Sequence, residues 1–223
     1  SLSNKFQLAV EHNPNELYDD IIPMRVPGVT SSVTIMRGCN NYCSYCVVPL
    51  VRGKERSRKP ESIITEVINL WQSGFKEVTL LGQTINNYKF AEVDFADLLI
   101  KIATELPEMR IRFLTSHPKF FNLKLIDTIA KYKNICKHIH LPLQSGSNEI
   151  LKNMRRKYSI THYFKLVESI REAIPHCALS TDIITGYPGE TKDNHEDTLA
   201  AMEFVQFDTA FMFKYSPREN TRA

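Results

Sequence analysis

The segment SVTIMRGCNNYCSYC, residues 32–46, joins a short β-rich run to three cysteines that lie within eight residues. Thiolates are the usual protein ligands of iron–sulfur clusters, and a cubane cluster held by three of them leaves one iron open. A closed tetrahedral zinc site needs a fourth ligand. The spacing therefore favours a cluster on Cys39, Cys43 and Cys46, and it leaves open a zinc site completed by a distant histidine: His117, His138 or His140.

Strand and helix patterns alternate outward from this segment. After residues 32–36, β-rich runs predict strands at Glu77–Leu81, Arg110–Thr115, His138–Leu143, Ala178–Thr185 and Thr209–Tyr215. Apolar residues at three- and four-residue spacing predict a first helix that begins at Pro60 and is capped by Gly74. The same spacing predicts five further helices: Asp94–Leu106, Leu123–Tyr132, Asn148–Met154, Ile160–Ile174 and Thr191–Val205. Parallel strands need helical crossovers, so the pattern predicts an α/β domain of six strand–helix units, the sixth without its helix.

Unusual residues follow the predicted strands: Gly82-Gln83, Ser116-His117-Pro118, Gln144-Ser145, GYPGE at 186–190 and Ser216-Pro217-Arg218. Active residues gather at the carboxyl ends of parallel strands, so we expect these positions to lie near the cysteines. Simpler interpretations stay open. Gly82 and Gly146 could serve turns with positive φ, Gln144 could cap a strand, GYPGE could be a tight loop, and His117 could be structural rather than an acid or base.

The composition is that of a globular chain. Of 223 residues, 43% are hydrophobic and 24% charged, which excludes a disordered or collagen-like protein. No apolar run reaches the roughly 18 residues of a membrane span, and the first residues do not resemble a secretory signal. We expect residues 1–30 to form a linker or entry segment with room for one short helix, and residues 31–223 to form one domain. The chain begins with Ser, so we expect it to be a piece of a longer protein.

The five cysteines are an odd number, which fits a disulfide framework poorly. Cys136 and Cys177 lie in or beside apolar strand runs, where we expect buried, unreactive thiols. Unpaired thiols suit a reduced compartment, so we expect a cytoplasmic protein.

Two basic runs lie near the motifs, and the net charge of +3 permits a nucleic-acid partner without demanding one. Arginines and lysines hold a nucleic-acid backbone without reading its sequence. The runs are therefore interpreted either as solvated loops or as phosphate contacts. They comprise Arg52, Lys54, Arg56, Arg58 and Lys59, and then Arg155, Arg156 and Lys157.

Five segments together resemble the methylthiotransferase family of the radical S-adenosylmethionine (radical SAM) superfamily. They are RGCNNYCSYCVVPLVRGKERSRKPESI (37–63), EVTLLGQTINNY (77–88), RFLTSHP (112–118), HLPLQSGSNEILKNMRRKY (140–158) and TDIITGYPGET (181–191). The resemblance implies a partial (β/α)6 radical SAM barrel over residues 31–223, in which an open iron binds S-adenosylmethionine and a 5′-deoxyadenosyl radical forms. TSHP and LLGQ resemble the tRNA branch of the MiaB type, which adds a methylthio group at C2 of N6-isopentenyladenosine next to the anticodon.

The resemblance also implies residue roles. Cys39, Cys43 and Cys46 would hold a 4Fe-4S cluster, and no other catalytic side chain is implied. Tyr45 and Asp182 would lie near the adenine, and Gln144 and Ser145 would face the ribose or the substrate. Gln83 stands where the superfamily often has Glu, so it would meet the cofactor's amino group through a neutral hydrogen bond. The full cofactor-binding set is Tyr45, Gly82, Gln83, Ser116, Gln144, Ser145 and Asp182.

The implied partners are the anticodon loop of a tRNA and an electron donor such as flavodoxin or ferredoxin, with no membrane partner. Members of the family also carry an N-terminal methylthiotransferase domain with a second 4Fe-4S cluster and a C-terminal RNA-binding TRAM domain. Neither is recognisable in this sequence, and the ending ENTRA departs from the family pattern after SPR. We therefore expect cofactor cleavage but incomplete methylthiolation.

Two alternatives remain. One is a methylthiotransferase that acts on threonylcarbamoyladenosine in tRNA or on a ribosomal protein. The other is a zinc-stabilised nucleic-acid-binding module without catalysis, although the six-unit pattern counts against a module that needs metal for want of a core.

Overall fold

Parallel strands separated by helices build the part of the chain described by a computed structural model, residues 23–223. The long strands are β1 (Thr30–Thr34), β2 (Glu77–Leu81), β3 (Arg110–Phe113), β4 (His138–His140), β5 (Ala178–Thr185) and β6 (Thr209–Lys214). The α-helices are α1 (Val48–Val51), α2 (Pro60–Gln72), α3 (Phe95–Glu105), α4 (Leu123–Lys131), α5 (Asn148–Asn153), α6 (Ile160–Ala173) and α7 (Lys192–Val205). Most of the expected entry segment, residues 1–22, lies outside this description.

The strands lie side by side in chain order. β1, β2 and β3 form one parallel sheet, and β4, β5 and β6 form another. A parallel bridge between Ile111 and Ile135 joins the two sheets just before β4. Within residues 23–223 no pairing joins β1 to β6, so the wall is open on that side. The predicted α/β architecture of a partial six-stranded barrel is confirmed.

Alternation along the strands places the core between the sheet and the helices. Leu80, Phe113 and Ile139 are buried, and the Phe113 ring packs edge-on against Phe95 of α3 at 5.3 Å. Neighbouring residues such as Arg112 are half-buried on the opposite face, because successive strand side chains point to opposite sides. The inner face of the barrel is therefore polar enough to line a site.

The predicted helices all form, with ends shifted by a residue or two. Asp94, predicted as the first residue of a helix, is instead the N-cap of α3, in a reciprocal capping box with Asp97. Thr191 caps α7 in the same way with Asn194. A capping side chain satisfies backbone amides that the first helical turn leaves unpaired. None of the helices in residues 23–223 has the length and hydropathy of a membrane span.

Three local features differ from the predictions. β1 ends at Thr34, and Met36–Arg37 pairs in antiparallel fashion with Arg56–Ser57, which turns the chain toward the cysteines. β4 ends at His140 rather than at residue 143, since Pro142 has no N–H to pair; pairing with β5 resumes at Gln144. No sequence pattern indicates α1 or the 3-10 turns Ile85–Asn87 and Pro118–Phe120.

Candidate cluster and cofactor site

The cysteine loop starts at the carboxyl end of β1. Gly38 has φ of +76°, and a Cβ there would overlap the backbone carbonyl of Lys54. The next residue, Cys39, donates its amide to Gly53 O at 3.2 Å. Only glycine allows this close approach, so Gly38 fixes where the loop leaves the strand.

Polar groups surround the sulfur of Cys39, which is buried. The backbone amide and the side-chain Nδ2 of Asn41 each lie 3.4 Å from Sγ, and Thr84 Oγ1 lies at 3.5 Å. Asn41 Nδ2 also donates to Thr84 Oγ1 at 3.1 Å. Donors of this kind orient and stabilise a ligating thiolate. Neither residue is predicted from the sequence, because nothing in the local pattern distinguishes them from other loop residues.

A buried arginine lies beside Cys43. Arg156 is 5% exposed, and its Nη1 lies 3.6 Å from Cys43 Sγ and 3.5 Å from Tyr45 Oη. Its Nη2 donates to Pro142 O at 3.0 Å, and its Nε donates to Tyr158 Oη at 3.0 Å. The interpretation of Arg156 as a surface phosphate contact is wrong, because the side chain turns inward from the loop after α5.

The third thiol shares this environment. Burial raises the pKa of Cys46, a backbone hydrogen bond at Val48 opposes the rise, and the charges of Cys43 and Cys39 add to it. The three thiols are therefore close enough to influence one another. Within residues 23–223 no three His, Cys, Asp or Glu side chains converge as the ligands of one metal ion. A cubane cluster binds each thiolate at a different iron, so it needs a wider spacing than a single ion does.

The histidines of the zinc alternative have other partners. His138 Nε2 and His140 Nδ1 lie 2.9 and 3.0 Å from Ser180 Oγ. His140 Nε2 lies 3.3 Å from Asp182 Oδ2. His117 Nδ1 accepts a hydrogen bond from the Lys119 amide at 3.2 Å.

Two adjacent loops carry buried polar atoms without protein partners. Gln83 Oε1, Ser116 Oγ and His117 Nε2 are buried and accept or donate no hydrogen bond within the described residues. Buried polar groups in folded proteins are nearly always paired. These atoms are therefore suited to a ligand with several donors and acceptors, and S-adenosylmethionine offers an amino group, a carboxylate and ribose hydroxyls. Together with the three thiols, the residues present fit the cluster and the cofactor.

His117 is a neutral side chain in this setting. Burial, together with the nearby cations Arg156, Lys119 and Lys157, lowers its pKa from 6.5 to about 2. Since Nδ1 accepts a hydrogen bond, the single ring proton lies on Nε2, the atom without a partner. His117 is thus arranged to donate a hydrogen bond rather than to exchange a proton near neutral pH.

The segment after β4 places two predicted residues differently. Gln144 is left-handed, with φ of 74°, and its amide donates to Asp182 O at 2.8 Å. Strained backbone of this kind is concentrated at functional sites, although the main chain of Gln144 also extends the strand pairing. Ser145 is fully buried, and its hydroxyl lies 3.2 Å from Thr198 Oγ1 on α7. That hydroxyl is directed toward the helix, which does not support contact with a cofactor.

The two glycines serve close packing rather than positive-φ turns. Gly82 has an ordinary φ, and a Cβ there would meet Met36 Cγ at 2.5 Å. At Gly146 a Cβ would overlap the backbone of Asp197 and Thr198 on α7. The simpler interpretation of both glycines as positive-φ turn residues is therefore wrong.

Tyr45 lies in a small apolar cluster with Ile150, Met154 and Tyr187. Burial raises its pKa, so the phenol stays protonated. Tyr187, from the GYPGE segment, has its hydroxyl 2.8 Å from Ser44 Oγ. GYPGE is therefore more than a tight loop, because it fastens the cysteine loop to β5.

A cavity of about 1010 Å³ borders the cysteine loop, and Cys43 forms part of its wall. No acidic residue lines it. The lining includes four cations, Lys152, Arg155, Lys157 and Arg222. Tyr42, which is 51% exposed, and Tyr158 supply aromatic surface. This arrangement suits an anionic partner.

The first basic run is partly structural. Arg58 is buried, and it donates to Glu66 Oε2 at 2.7 Å and to Thr34 O at 2.8 Å. Arg56 donates to the backbone carbonyls of Lys54 and Arg52 at 2.9 and 3.3 Å. The expectation that Arg58 contacts RNA phosphate is therefore wrong, and the exposed cations of this run are Arg52, Lys54 and Lys59.

Comparisons with known proteins agree with this geometry. The family model described as the Radical SAM superfamily matches residues 33–202. Two relatives named tRNA-2-methylthio-N(6)-dimethylallyladenosine synthase match at high identity. The one from Phocaeicola vulgatus is 50% identical over 220 residues, with 96% of this chain and 48% of the relative covered. The one from Azobacteroides pseudotrichonymphae is 51% identical over 213 residues, with 93% and 47% covered.

A solved structure has a similar fold. The radical S-adenosylmethionine methyltransferase TsrM from Kitasatospora setae superposes with a TM-score of 0.70 at 20% identity, covering 83% of this chain and 36% of that one. The chain spans about half the length of the curated relatives it matches.

Proposed function

We propose, from the premise that the chain belongs to the radical SAM superfamily, that it is the radical-generating core of a tRNA methylthiotransferase. The reaction of the whole protein would add a methylthio group at C2 of N6-isopentenyladenosine next to the anticodon. The similarity to dimethylallyladenosine synthases over nearly the whole chain supports this substrate. The superfamily uses a 4Fe-4S cluster and S-adenosylmethionine.

One observation carries the proposal most directly. Cys39 Sγ lies 3.5 Å from Thr84 Oγ1, next to Gln83, and within residues 23–223 the buried Gln83 Oε1 and Ser116 Oγ have no hydrogen-bond partner. When bound, the cluster and S-adenosylmethionine would supply an electron and a carbon radical able to take hydrogen from an unactivated carbon. General acids and bases act on protons of suitable pKa, which the C2 hydrogen of adenine does not have.

The chain's own residues hold and orient this chemistry. Cys39, Cys43 and Cys46 bind the cluster, with Asn41 and Thr84 donating toward Cys39. The polar atoms of Gln83 and Ser116 bind the cofactor, and the Nε2–H of His117 donates a hydrogen bond to it. Gly82 gives the backbone beside Gln83 its close approach to Met36. Gln144, Asp182 and Tyr45 are proposed on the adenine and ribose side.

The cationic cavity is proposed to receive the anticodon stem or loop of tRNA. Positive charge comes from Lys152, Arg155, Lys157 and Arg222, and no acidic residue lines the cavity. Exposed Tyr42 offers a face for base stacking. The remaining parts of the proposal are a flavodoxin or ferredoxin as electron donor, a second 4Fe-4S cluster elsewhere in the protein, and a cytoplasmic location.

The experiment is anaerobic reconstitution of the 223-residue chain with iron and sulfide, followed by dithionite and S-adenosylmethionine. We expect 5′-deoxyadenosine from the wild-type chain and from Cys177→Ala, a matched control at a cysteine outside the loop. We expect none from Cys43→Ala. A chain that binds zinc and no iron would overturn the proposal in favour of a binding module.

Cluster-loaded protein that binds S-adenosylmethionine but makes no 5′-deoxyadenosine would overturn the assignment of this chain as a self-sufficient radical-generating core. Methylthiolation itself is tested with a full-length relative and an isopentenyladenosine-containing anticodon stem-loop, with threonylcarbamoyladenosine RNA as the competing substrate.

A further inference from the structure

Arg156 is a buried cation without a buried carboxylate. No Asp or Glu oxygen within residues 23–223 forms an ion pair with its guanidinium, which is 5% exposed. Its contacts are Pro142 O, Tyr158 Oη, Tyr45 Oη and Cys43 Sγ. Buried charges in proteins are normally paired, since the desolvation cost of an unpaired one is large.

Of these contacts, only Cys43 Sγ carries a negative charge when the proposed cluster is bound, because a cluster ligand is a thiolate. The two phenols are neutral hydrogen-bonding groups, and Pro142 O is a backbone carbonyl. The counter-charge of Arg156 therefore lies at Cys43, whose Sγ is 3.6 Å from Nη1.

Several contacts fix the guanidinium in place. Two hydrogen bonds of 3.0 Å join it to Pro142 O and Tyr158 Oη. Tyr158 itself donates to Leu143 O at 2.7 Å, and its ring faces the guanidinium at 5.3 Å. A charge held this firmly in a buried position is screened less by water and salt than a charge at the surface.

Resting on the proposed function, we propose that Arg156 is a positioning residue whose fixed positive charge at Cys43 raises the reduction potential of the cluster bound there. Reduction by dithionite adds one electron and one unit of negative charge at the cluster, and no bond breaks. A cation in contact with a ligating thiolate stabilises this added charge. Net charge and hydrogen bonds to sulfur are established determinants of cluster potentials.

The test is a potentiometric titration of the reconstituted chain, followed by the low-temperature electron paramagnetic resonance signal of the reduced cluster. Arg156→Gln removes the charge and keeps an amide donor. We expect the equilibrium constant for one-electron reduction of its cluster to fall at least tenfold, which corresponds to a reduction potential lower by about 59 mV. Arg156→Lys keeps the charge, and Lys165→Gln removes one positive charge from an exposed position on α6 outside the cavity. Both should stay within threefold of wild type.

Each outcome decides the proposal. A Gln variant with full iron and an unchanged potential would overturn it, as would a Lys variant whose potential falls as far as that of Gln. If Gln holds no cluster while Lys holds one at the wild-type potential, the charge is required and the proposal stands. If neither holds a cluster while Lys165→Gln does, the role is structural and the proposal fails.

Calorimetric measurement of S-adenosylmethionine binding tests whether the cofactor's carboxylate, rather than Cys43, is the counter-charge of Arg156. Weaker affinity in Arg156→Gln with an unchanged potential would assign the cofactor's carboxylate as the partner and overturn the assignment to Cys43. A wild-type chain that assembles no cluster under any condition would instead be a failure of the proposed function.

Discussion

Asn86 makes two hydrogen bonds to the backbone of His117. Its Oδ1 accepts from the His117 amide at 2.8 Å, and its Nδ2 donates to the His117 carbonyl at 3.0 Å. Together with the Ile85 amide, which donates to Thr115 O at 3.1 Å, this pair fastens the loop after β2 to the loop after β3. These are the loops that carry the unpartnered atoms of Gln83 and Ser116.

Replacing Asn86 with Ala should separate the two loops. The buried amide of His117 would be left without its partner, at a cost of about 1–3 kcal/mol, whereas its carbonyl would keep the hydrogen bond from the Phe120 amide at 3.0 Å. We expect a lower free energy of unfolding in urea and weaker S-adenosylmethionine binding by calorimetry. Asn153→Ala, at an exposed position on α5, serves as the control. Wild-type affinity in a destabilised Asn86→Ala would show that this clamp does not shape the cofactor site.

His117 should make the chain sensitive to acid. Its pKa is about 2 when folded and 6.5 ordinarily, so below pH 6.5 the unfolded chain binds a proton that the folded chain does not. The stability from this residue is complete above pH 6.5 and falls by about 1.4 kcal/mol per pH unit as the pH drops toward 2.

Urea unfolding at pH 7, 6, 5 and 4 checks this dependence. His117→Gln should flatten the acid slope by one proton, whereas His162→Gln, at an exposed helix position, should not. An NMR titration that finds the His117 ring protonated at pH 5 in the folded chain would contradict the prediction.

Arg58→Met should destabilise the chain strongly. The substitution removes the 2.7 Å ion pair with Glu66 and the hydrogen bond to Thr34 O. Glu66 keeps a second ion pair, with Arg25. Breaking a buried ion pair by removing one partner costs about 3–5 kcal/mol, and the partial exposure of Glu66 and its remaining partner argue for a cost at or below the lower end. The measurement is thermal unfolding, with Lys59→Met at the exposed neighbour as the control. Equal melting temperatures for the two variants would be the contrary result.

Gly146→Ala should distort the contact between the loop after β4 and α7. Its Cβ would overlap the backbone of Asp197 and Thr198, which cannot move aside as a flexible side chain can. Overpacking of this kind costs about 1–3 kcal/mol. Gly28→Ala is the matched control, since its nearest contact would be an ordinary 3.8 Å. Urea unfolding distinguishes them, and equal stability of both variants would disprove the packing role.

The cationic cavity should bind an anticodon stem-loop through its charge. Changing Lys152 and Lys157 to Gln is expected to weaken binding at low salt and to reduce the slope of log affinity against log salt by about two, one for each phosphate that is no longer neutralised. Lys165→Gln, exposed on α6 outside the cavity, should leave the slope unchanged. Fluorescence anisotropy across a salt series measures it, and an unaltered slope in the double variant would remove the cavity from the RNA site.

Local sequence determined much of this protein. Period-two runs of Val, Ile and Leu specify strands wherever one face must be buried, and apolar residues at helical spacing specify the helices between them. Those two periods and the need for crossovers are enough to place the carboxyl ends of the strands, and with them the Cys39, Cys43 and Cys46 loop, at one edge. Helix ends are less well determined, because a cap such as Asp94 is identified from hydrogen bonds and not from composition.

Tertiary structure decided what the neighbours of those motifs do. The run Arg155-Arg156-Lys157 is uniformly basic in the sequence, yet only Arg156 is buried, directed at a sulfur 113 positions away in the chain. Gly146 resembles a turn residue until α7 is seen to pack on it, and the adjacent Ser145 turns toward the same helix. The spacing of apolar residues along the chain determines which segments form helices or strands and which face of each is apolar. Burial of a given polar side chain and the pairing of its charge depend on contacts between distant segments, which form only when the chain has folded.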